Sequence, residues 1–431
     1  MNASASLQVQ HWNIAQLIAF RFFTLLFVLF ILLNPNVVGP LVYPFSLLIK
    51  IPVDWLSNVV AQSVFHVDVP LSNKMTGSGD RQIDFIHLFV ALMVTVVGTV
   101  IWSVADYRRR SYNQALYWLT VLVLYYLALT MIEYGMVKLF KFQFPDLTER
   151  RLTQRYGESS PMGLAWRFLS YSTAYNYFMG FAEICGALLL LFRRTVTLGA
   201  ILTFLVSLNI MAINYCFDVP VKILSTALVV MSFFLLALDA RPLINFFVLG
   251  KPAGAPAQRK PKFTRRWINI TALVFKCLIL LFVIFTAVTS TIQYLYAKQK
   301  RTEVKTGYYN VVNYREPGRP KAQTDIDPAR WQKVMLTPDS LSIYMASNVR
   351  LARACNIDAV SNQLICFKPN ERETEFTLKY KMPKTGGLSL KGDFMGHKLV
   401  AKLAFLSAYH PDSTLLMNRG FHWVNEVPFN K

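Results

Sequence analysis

ALYWLTVLVLYYLALTMIEYGM, from Ala115 to Met136, carries a single acidic residue, Glu133, in an otherwise apolar and aromatic run. Hydrocarbon solvates no backbone, so a stretch of roughly 17–25 such residues closes its hydrogen bonds within one helix and crosses a bilayer. Six further runs of this kind flank it: Ile14–Leu33, Phe85–Ala105, Tyr175–Phe192, Val196–Tyr215, Val221–Leu238 and Ile268–Tyr294. The pattern predicts an all-α polytopic membrane bundle of seven transmembrane helices followed by a C-terminal soluble domain.

Four regions follow. Residues 1–110 hold two spans and a long connection, and residues 115–240 a four-helix core. Residues 241–297 hold a basic linker, clearest at Lys251–Lys262, and the seventh helix; residues 298–431 form the polar tail. The first run is too long for the apolar core of a cleaved signal and is expected to remain as an anchor.

Hydrophobic residues make up 54% of the chain and charged residues only 16%, so a lipid bilayer is the first expected partner. The net charge of +21 lies mostly between spans and in the tail, as loop charge beside a membrane does, and argues against a nucleic-acid partner. Arg108–Arg110, Arg193–Arg194 and the basic residues of 259–266 fall on one side of a seven-span chain. That side reads as cytoplasmic, with the N-terminus inside and the C-terminal domain periplasmic, in a bacterial inner membrane. Lys138, Lys141, Arg150, Arg151, Arg155 and Arg167 fall on the opposite side. Of the two long external connections, the first holds an apolar segment, Leu41–Ala61, interrupted by Pro44, Lys50 and Pro52, which reads as an interfacial or re-entrant helix, and Phe140–Ala174 reads as short helices over the outer mouth.

Ionisable groups within spans cost about 2.5–3.5 kcal/mol each, and so face a cavity or a partner. Counted along the helices, His87, Glu133, Lys138, Asn209, Asn214, Asp218 and Lys222 all fall in the outer half, Glu183 falls near mid-membrane, and Arg21 stands alone near the inner side. One-sidedness suggests a polar pocket among the third to sixth spans, open outward. Structural roles compete with this. Asp218 before Val219-Pro220 suits a helix N-cap, Lys138 and Lys222 can snorkel to headgroups, His87 can be a satisfied interfacial residue, and the asparagines can tie helices together. Glu183 needs a partner, and depth suggests Asn209, Glu133 or Lys222.

Tyr134-Gly135-Met136-Val137-Lys138-Leu139 resembles the Y-G-x-x-K-[LI] signature of the DoxX-like membrane protein family. Gly180-Phe-Ala-Glu183-Ile-Cys-Gly186-Ala-Leu, followed by Arg193-Arg194 and a helix entered near Gly199, is similar to that family's G-x-x-E-x-x-G segment and turn. The resemblance covers about residues 115–238. It implies a four-helix core tied to redox work, members including a membrane subunit of thiosulfate:quinone oxidoreductase. Tyr134, Gly135, Lys138, Gly180, Glu183 and Gly186 are the positions carried over. Gly420–Glu426 is similar to the terminus of long bacterial members.

The five cysteines form no zinc spacing, so no metal is expected. Cys185 and Cys277 read as packing residues and Cys216 as a thiol at the pocket mouth; Cys355 and Cys366 are candidates for a structural disulfide across a hairpin. In the tail, alternation marks strands at Thr306–Tyr314, Leu341–Met345, Gln363–Phe367, Thr374–Tyr380 and Leu388–Phe394, with His397–Leu406 and Leu415–Val424 as further candidates. These suggest a compact β sandwich or barrel acting as a lid or partner-binding module.

The function expected is a membrane component of a quinone- or thiol-linked redox system. Glu183 would handle a proton, Lys138 and Lys222 would stabilise negative charge, and Glu133, Tyr134, Asn209, Asn214, Asp218 and His87 would bind the ligand. The chain shows no dinucleotide, haem or iron–sulfur signature, so a quinone is the one cofactor class suggested and electrons would come from a periplasmic partner. A non-enzymatic scaffold whose tail recruits a partner, and a lipid or small-molecule transporter, are the rivals.

Overall fold

The computed structural model describes residues 12–36, 39–67, 79–252, 304–316, 328–367, 374–383, 387–408 and 414–419, with isolated positions between 267 and 292 and at 410. They fall into two compact units. One comprises residues 1–145 and 160–288, the other residues 146–159 and 289–431.

The first unit is helical. Its long helices are α1 (Ile14–Leu33), α2 (Gly39–Ser63), α3 (Gln82–Ala105), α4 (Asn113–Leu139), α7 (Thr173–Leu191), α8 (Val196–Cys216) and α9 (Lys222–Leu238). The shorter α6 (Pro161–Tyr171) packs on α7, and α10 (Ala240–Phe247) follows α9 at a 77° bend. Among the described residues, α1, α3, α4, α7 and α8 are each long and apolar enough to cross a membrane, and α9 with α10 makes a sixth if the pair is one span. This is a membrane protein. The expected seventh span, Ile268–Tyr294, lies largely outside the described residues, as do most of the basic linker and Gly420–Glu426.

The connection expected to hold a helix at Leu41–Ala61 does so: α2 is continuous from Gly39 to Ser63, with Pro44 and Pro52 inside it. It packs on α1 and α3 through Val53, Ala61, Ile83, Ile86 and Val90, while Tyr43, Phe45, Leu48, Ile51 and Trp55 stay exposed. The bundle core sits around α4, whose Val123, Leu127, Ala128 and Met131 are fully or almost fully buried. Arg21 is not alone. Its guanidinium donates to Tyr112 Oη (3.2 Å), Ser103 Oγ (3.0 Å) and the Asp106 carbonyl (2.9 Å), so the charge inside α1 is fully engaged.

The second unit is a closed, eight-stranded antiparallel barrel. Its strands are β1 (Gly307–Arg315), β2 (Trp331–Leu336), β3 (Ser340–Met345), β4 (Arg350–Asp358), β5 (Gln363–Phe367), β6 (Thr374–Lys381), β7 (Leu388–Phe394) and β8 (His397–Ser407). Each strand pairs with the next and β8 returns to β1, which leaves no unpaired edge. Eight strands enclose just enough space for side chains. Trp331, Val334, Leu341, Ile343, Leu364, Leu378, Leu390 and Leu399 fill it. Cys355 and Cys366 face each other across β4 and β5 and are disulfide-bonded, as expected. Leu415–Val424 is not a strand at its described start: Leu415–Asn418 forms a short helix, α11.

Residues 146–159 fold with this barrel, although they connect α4 to α6. They contain the short α5 (Glu149–Leu152) and a 3-10 turn at Tyr156–Glu158, so the short helices expected in this connection are present. Arg350 of β4 holds the segment, donating to the Thr153 carbonyl, to Thr153 Oγ1 (2.6 Å) and to Ser342 Oγ (3.1 Å). Glu149 is buried beside it. Burial raises its carboxyl to about 7, against the lowering influence of the Tyr308 hydroxyl and Arg350, and Asp339 adds to the rise.

Candidate functional site

Among the described residues of the helical unit, two polar assemblies hold residues singled out from sequence. The first joins α4 to α7. Lys138 Nζ sits 2.7 Å from Glu183 Oε1 and 3.0 Å from Oε2, with side chains 5% and 1% exposed. Glycine brings the helices this close. A Cβ at Gly135 would lie 2.6 Å from Ile184 Cγ1 and 2.8 Å from the Gly180 carbonyl oxygen, and one at Gly180 would meet the Gly135 carbonyl oxygen at 2.7 Å. The partner of Glu183 is therefore Lys138, not Asn209, Glu133 or Lys222. Depth counted along the backbone misled because the four-carbon stem carries the Lys138 ammonium inward, the reverse of snorkelling. Gly186 likewise lets Thr203 of α8 approach, its own Cβ site being 2.9 Å from Thr203 Oγ1.

The second assembly is a cavity of about 560 Å³ where α1 ends and α3 and α9 begin. Leu26, Phe30, Leu33, Leu88, Ala91 and Leu224 supply its apolar wall. Its polar lining comes from Asn34, Asn36, Lys50, Asp54, Asp80, Arg81, Asp84, His87 and Tyr134. Several of these are braced. Arg81 pairs with Asp84 at 3.1 Å in the first turn of α3. Asp80 accepts from the Lys222 and Ile223 backbone N–H groups and so closes the N-terminus of α9, while its own N–H donates to the Pro220 carbonyl at 2.8 Å. Tyr126 donates to the Asn34 carbonyl (2.8 Å) and accepts from Asn36 (3.0 Å), which fixes the turn after α1. Asp54 Oδ1 lies 3.1 Å from His87 Nε2.

Of the residues expected from sequence, His87, Tyr134, Lys138 and Glu183 fall in these two places. His87 and Tyr134 line the cavity. Lys138 and Glu183 form the closed pair, and the Lys138 ammonium lies 5.7 Å from the centre of the Tyr134 ring. Asp218 does not cap α9. Asp80 does, and the Asp218 carboxylate instead accepts from Lys222 Nζ at 2.7 Å. Asn214 is buried and donates to the Val221 carbonyl at 3.1 Å, while Glu133 and Asn209 are exposed on the faces of α4 and α8. Cys185, Cys216 and Cys277 are exposed, so Cys185 and Cys277 are not packed in the protein core. The cavity thus involves α1, α2, α3, α4 and α9; of the four spans expected to form the pocket, α7 and α8 contribute no lining residue.

Sequence reading missed Lys50, Asp54, Asp80, Arg81 and Asp84. The signals were present: Lys50 and Asp54 stand four apart in an otherwise apolar stretch, and Asp80-Arg81 precedes a span with Asp84 three residues on.

A stretch of 122 residues, 28% of the chain, is 40% identical to YwoB of Bacillus subtilis (strain 168), described as an uncharacterized protein, and covers 77% of it. The chain belongs to the family of YwoB. No protein-family model matches the chain, and no solved structure does. The kinship carries no stated activity, so the chemistry must be argued from the cavity and the ion pair.

Proposed function

We propose that the helical unit is the ligand-binding membrane component of a quinone- or thiol-linked redox system of the DoxX-like kind, with seven spans and a core at 115–238. The observation that carries this reading is the cavity, which has one apolar wall and one polar wall. Lys50 and Arg81 stand against Asp54, Asp80 and Asp84, so with His87 neutral the lining carries an excess of negative charge. Such a lining favours an uncharged polar head over a phosphate, and the apolar wall suits an attached ring or tail. A quinone has this chemistry.

The DoxX-like signature supports the same reading, because its residues are the ones that meet: Gly135 with Gly180, and Lys138 with Glu183. The pair stands behind Tyr134 and sets the electric field at a residue that lines the cavity. Lys222 contributes at the α9 turn. The barrel, its interior already filled by side chains, serves as a docking module for an extracytoplasmic redox or structural partner. Residues 146–159 fold with the barrel, which supports one shared side of the bacterial inner membrane for that connection and the C-terminal domain.

The test is organic extraction and mass spectrometry of protein purified gently from its native membrane. Wild type is expected to yield a stoichiometric neutral amphiphile, and Leu88→Trp, which intrudes on the apolar wall of the cavity, to yield less. An empty wild type refutes the reading.

A further inference from the structure

The cavity contains a pair whose arrangement exceeds what ligand binding requires. Asp54 on α2 and His87 on α3 approach to 3.1 Å between Oδ1 and Nε2, and both atoms are sealed from solvent. Neither has an aligned hydrogen bond among the described residues. The two side chains remain 28% and 20% exposed, so each keeps a face towards the cavity it lines. A purely structural pair in an apolar helix contact would be closed off, as Lys138 and Glu183 are. Ionisable groups within a span are costly and are commonly held there for function.

We propose that Asp54 and His87 form the proton-exchanging centre of this cavity, acting on an acidic hydroxyl of a bound quinol-like or hydroxyquinone-like head. This rests on the cavity being the ligand site. The geometry assigns the roles. A carboxylate at Nε2 favours the tautomer with its proton on that nitrogen, which leaves the lone pair on Nδ1. The proton moves from the ligand hydroxyl to His87 Nδ1: the O–H bond breaks, an N–H bond forms, and the electron pair stays on the ligand oxygen. The imidazolium is then held by the Asp54 carboxylate. His87 is the residue that touches the ligand, and Asp54 is a positioning residue that acts through it.

The charged and titratable groups around His87 come from each neighbouring element: Lys50 and Asp54 from α2, Arg81 and Asp84 from the start of α3, Asp80 from the turn before it, and Tyr134 from α4. Arg81 is paired with Asp84, and Asp80 is committed to the α9 N-terminus. Lys50, one turn from Asp54, favours an anionic oxygen near the pair once the proton has left.

The experiment uses the full chain in lipid nanodiscs and juglone, a hydroxynaphthoquinone whose phenolic hydroxyl keeps its proton at neutral pH and whose visible absorption reports its ionisation. Bound to wild type, the ionised band should persist to a pH at least one unit below that at which the free dye loses it, a tenfold shift. His87→Gln should abolish the shift while the dye still binds. Asp54→Asn should reduce it, which a role confined to packing would not do, and it supplies the test if His87→Gln fails to fold. Binding to all three proteins with the same titration overturns the proposal and leaves the cavity reading intact. Failure of wild type to bind the dye overturns both.

Discussion

Glu183→Gln removes the carboxylate facing an ammonium that is only 5% exposed. At 2.7 Å, and with the effective dielectric of about 20 that suits such sites, the attraction being lost is about 6 kcal/mol. Most of it offsets the cost of taking two charges out of water, so the pair as a whole stabilises the fold little. Losing one partner is different, because the other stays buried without compensation, at a cost of about 3–5 kcal/mol. Lys138→Met should cost a similar amount. The double variant, with no charge left between α4 and α7, should return to within about 2 kcal/mol of wild type. Reversible unfolding of the four proteins in mixed micelles of rising SDS content, followed by circular dichroism, gives the coupling term directly. Single losses below about 1 kcal/mol that simply add in the double variant would refute the reasoning, since they would mean that water reaches both groups.

Three further outcomes are expected. Gly135→Ala places a methyl 2.8 Å from the Gly180 carbonyl oxygen and should cost about 1–3 kcal/mol in the same unfolding assay, by forcing α4 from α7. Removing the Cys355–Cys366 bond, which closes a loop of sequence separation 11, should destabilise the barrel by about 3 kcal/mol, measured by pulse proteolysis of the Cys355→Ala/Cys366→Ala protein. Glu149 makes stability depend on pH. Its carboxyl holds a proton to about 7 in the folded state against 4.5 ordinarily, so the folded state binds more protons between these values and stability falls as pH rises through that window. Glu149→Gln should flatten that fall, and an unchanged pH profile of proteolytic resistance would contradict the assignment.

The helical unit was readable because membrane helices announce themselves by length and composition. The observed ends of α1, α3, α4, α7, α8 and α9 lie within a few residues of the predicted ones. The barrel was half readable. Strands β5, β6 and β7 alternate cleanly, but β4 reads RLARACNID, whose arginines look like loop residues until the barrel exterior gives them a place. Arg350 and Arg353 use that exterior to bind Thr153 and Glu375. Within the candidate site, His87 and Tyr134 were legible because each stands out in a span. Asp54 was not, because Pro44, Lys50 and Pro52 make the apolar run read as an interfacial helix, where a carboxylate meets water and needs no partner. Asp80 was illegible for another reason. It caps a helix that begins far away in sequence, and nothing near Lys222 betrays an acceptor supplied from the start of α3.

The participation of residues 146–159 in the barrel imposes an order on biosynthesis. The ribosome makes this segment, with Glu149 and Thr153, long before Arg350 or any of the eight strands exists. Until β8 closes on β1, the segment is a loop between two helices with a carboxyl awaiting its surroundings. A chain truncated after α10 would therefore lack more than a C-terminal appendage. It would also strand a piece of the missing domain between α4 and α6, so the two halves of this protein are better separated by exchanging residues 146–159 for a short polar loop than by a stop codon alone.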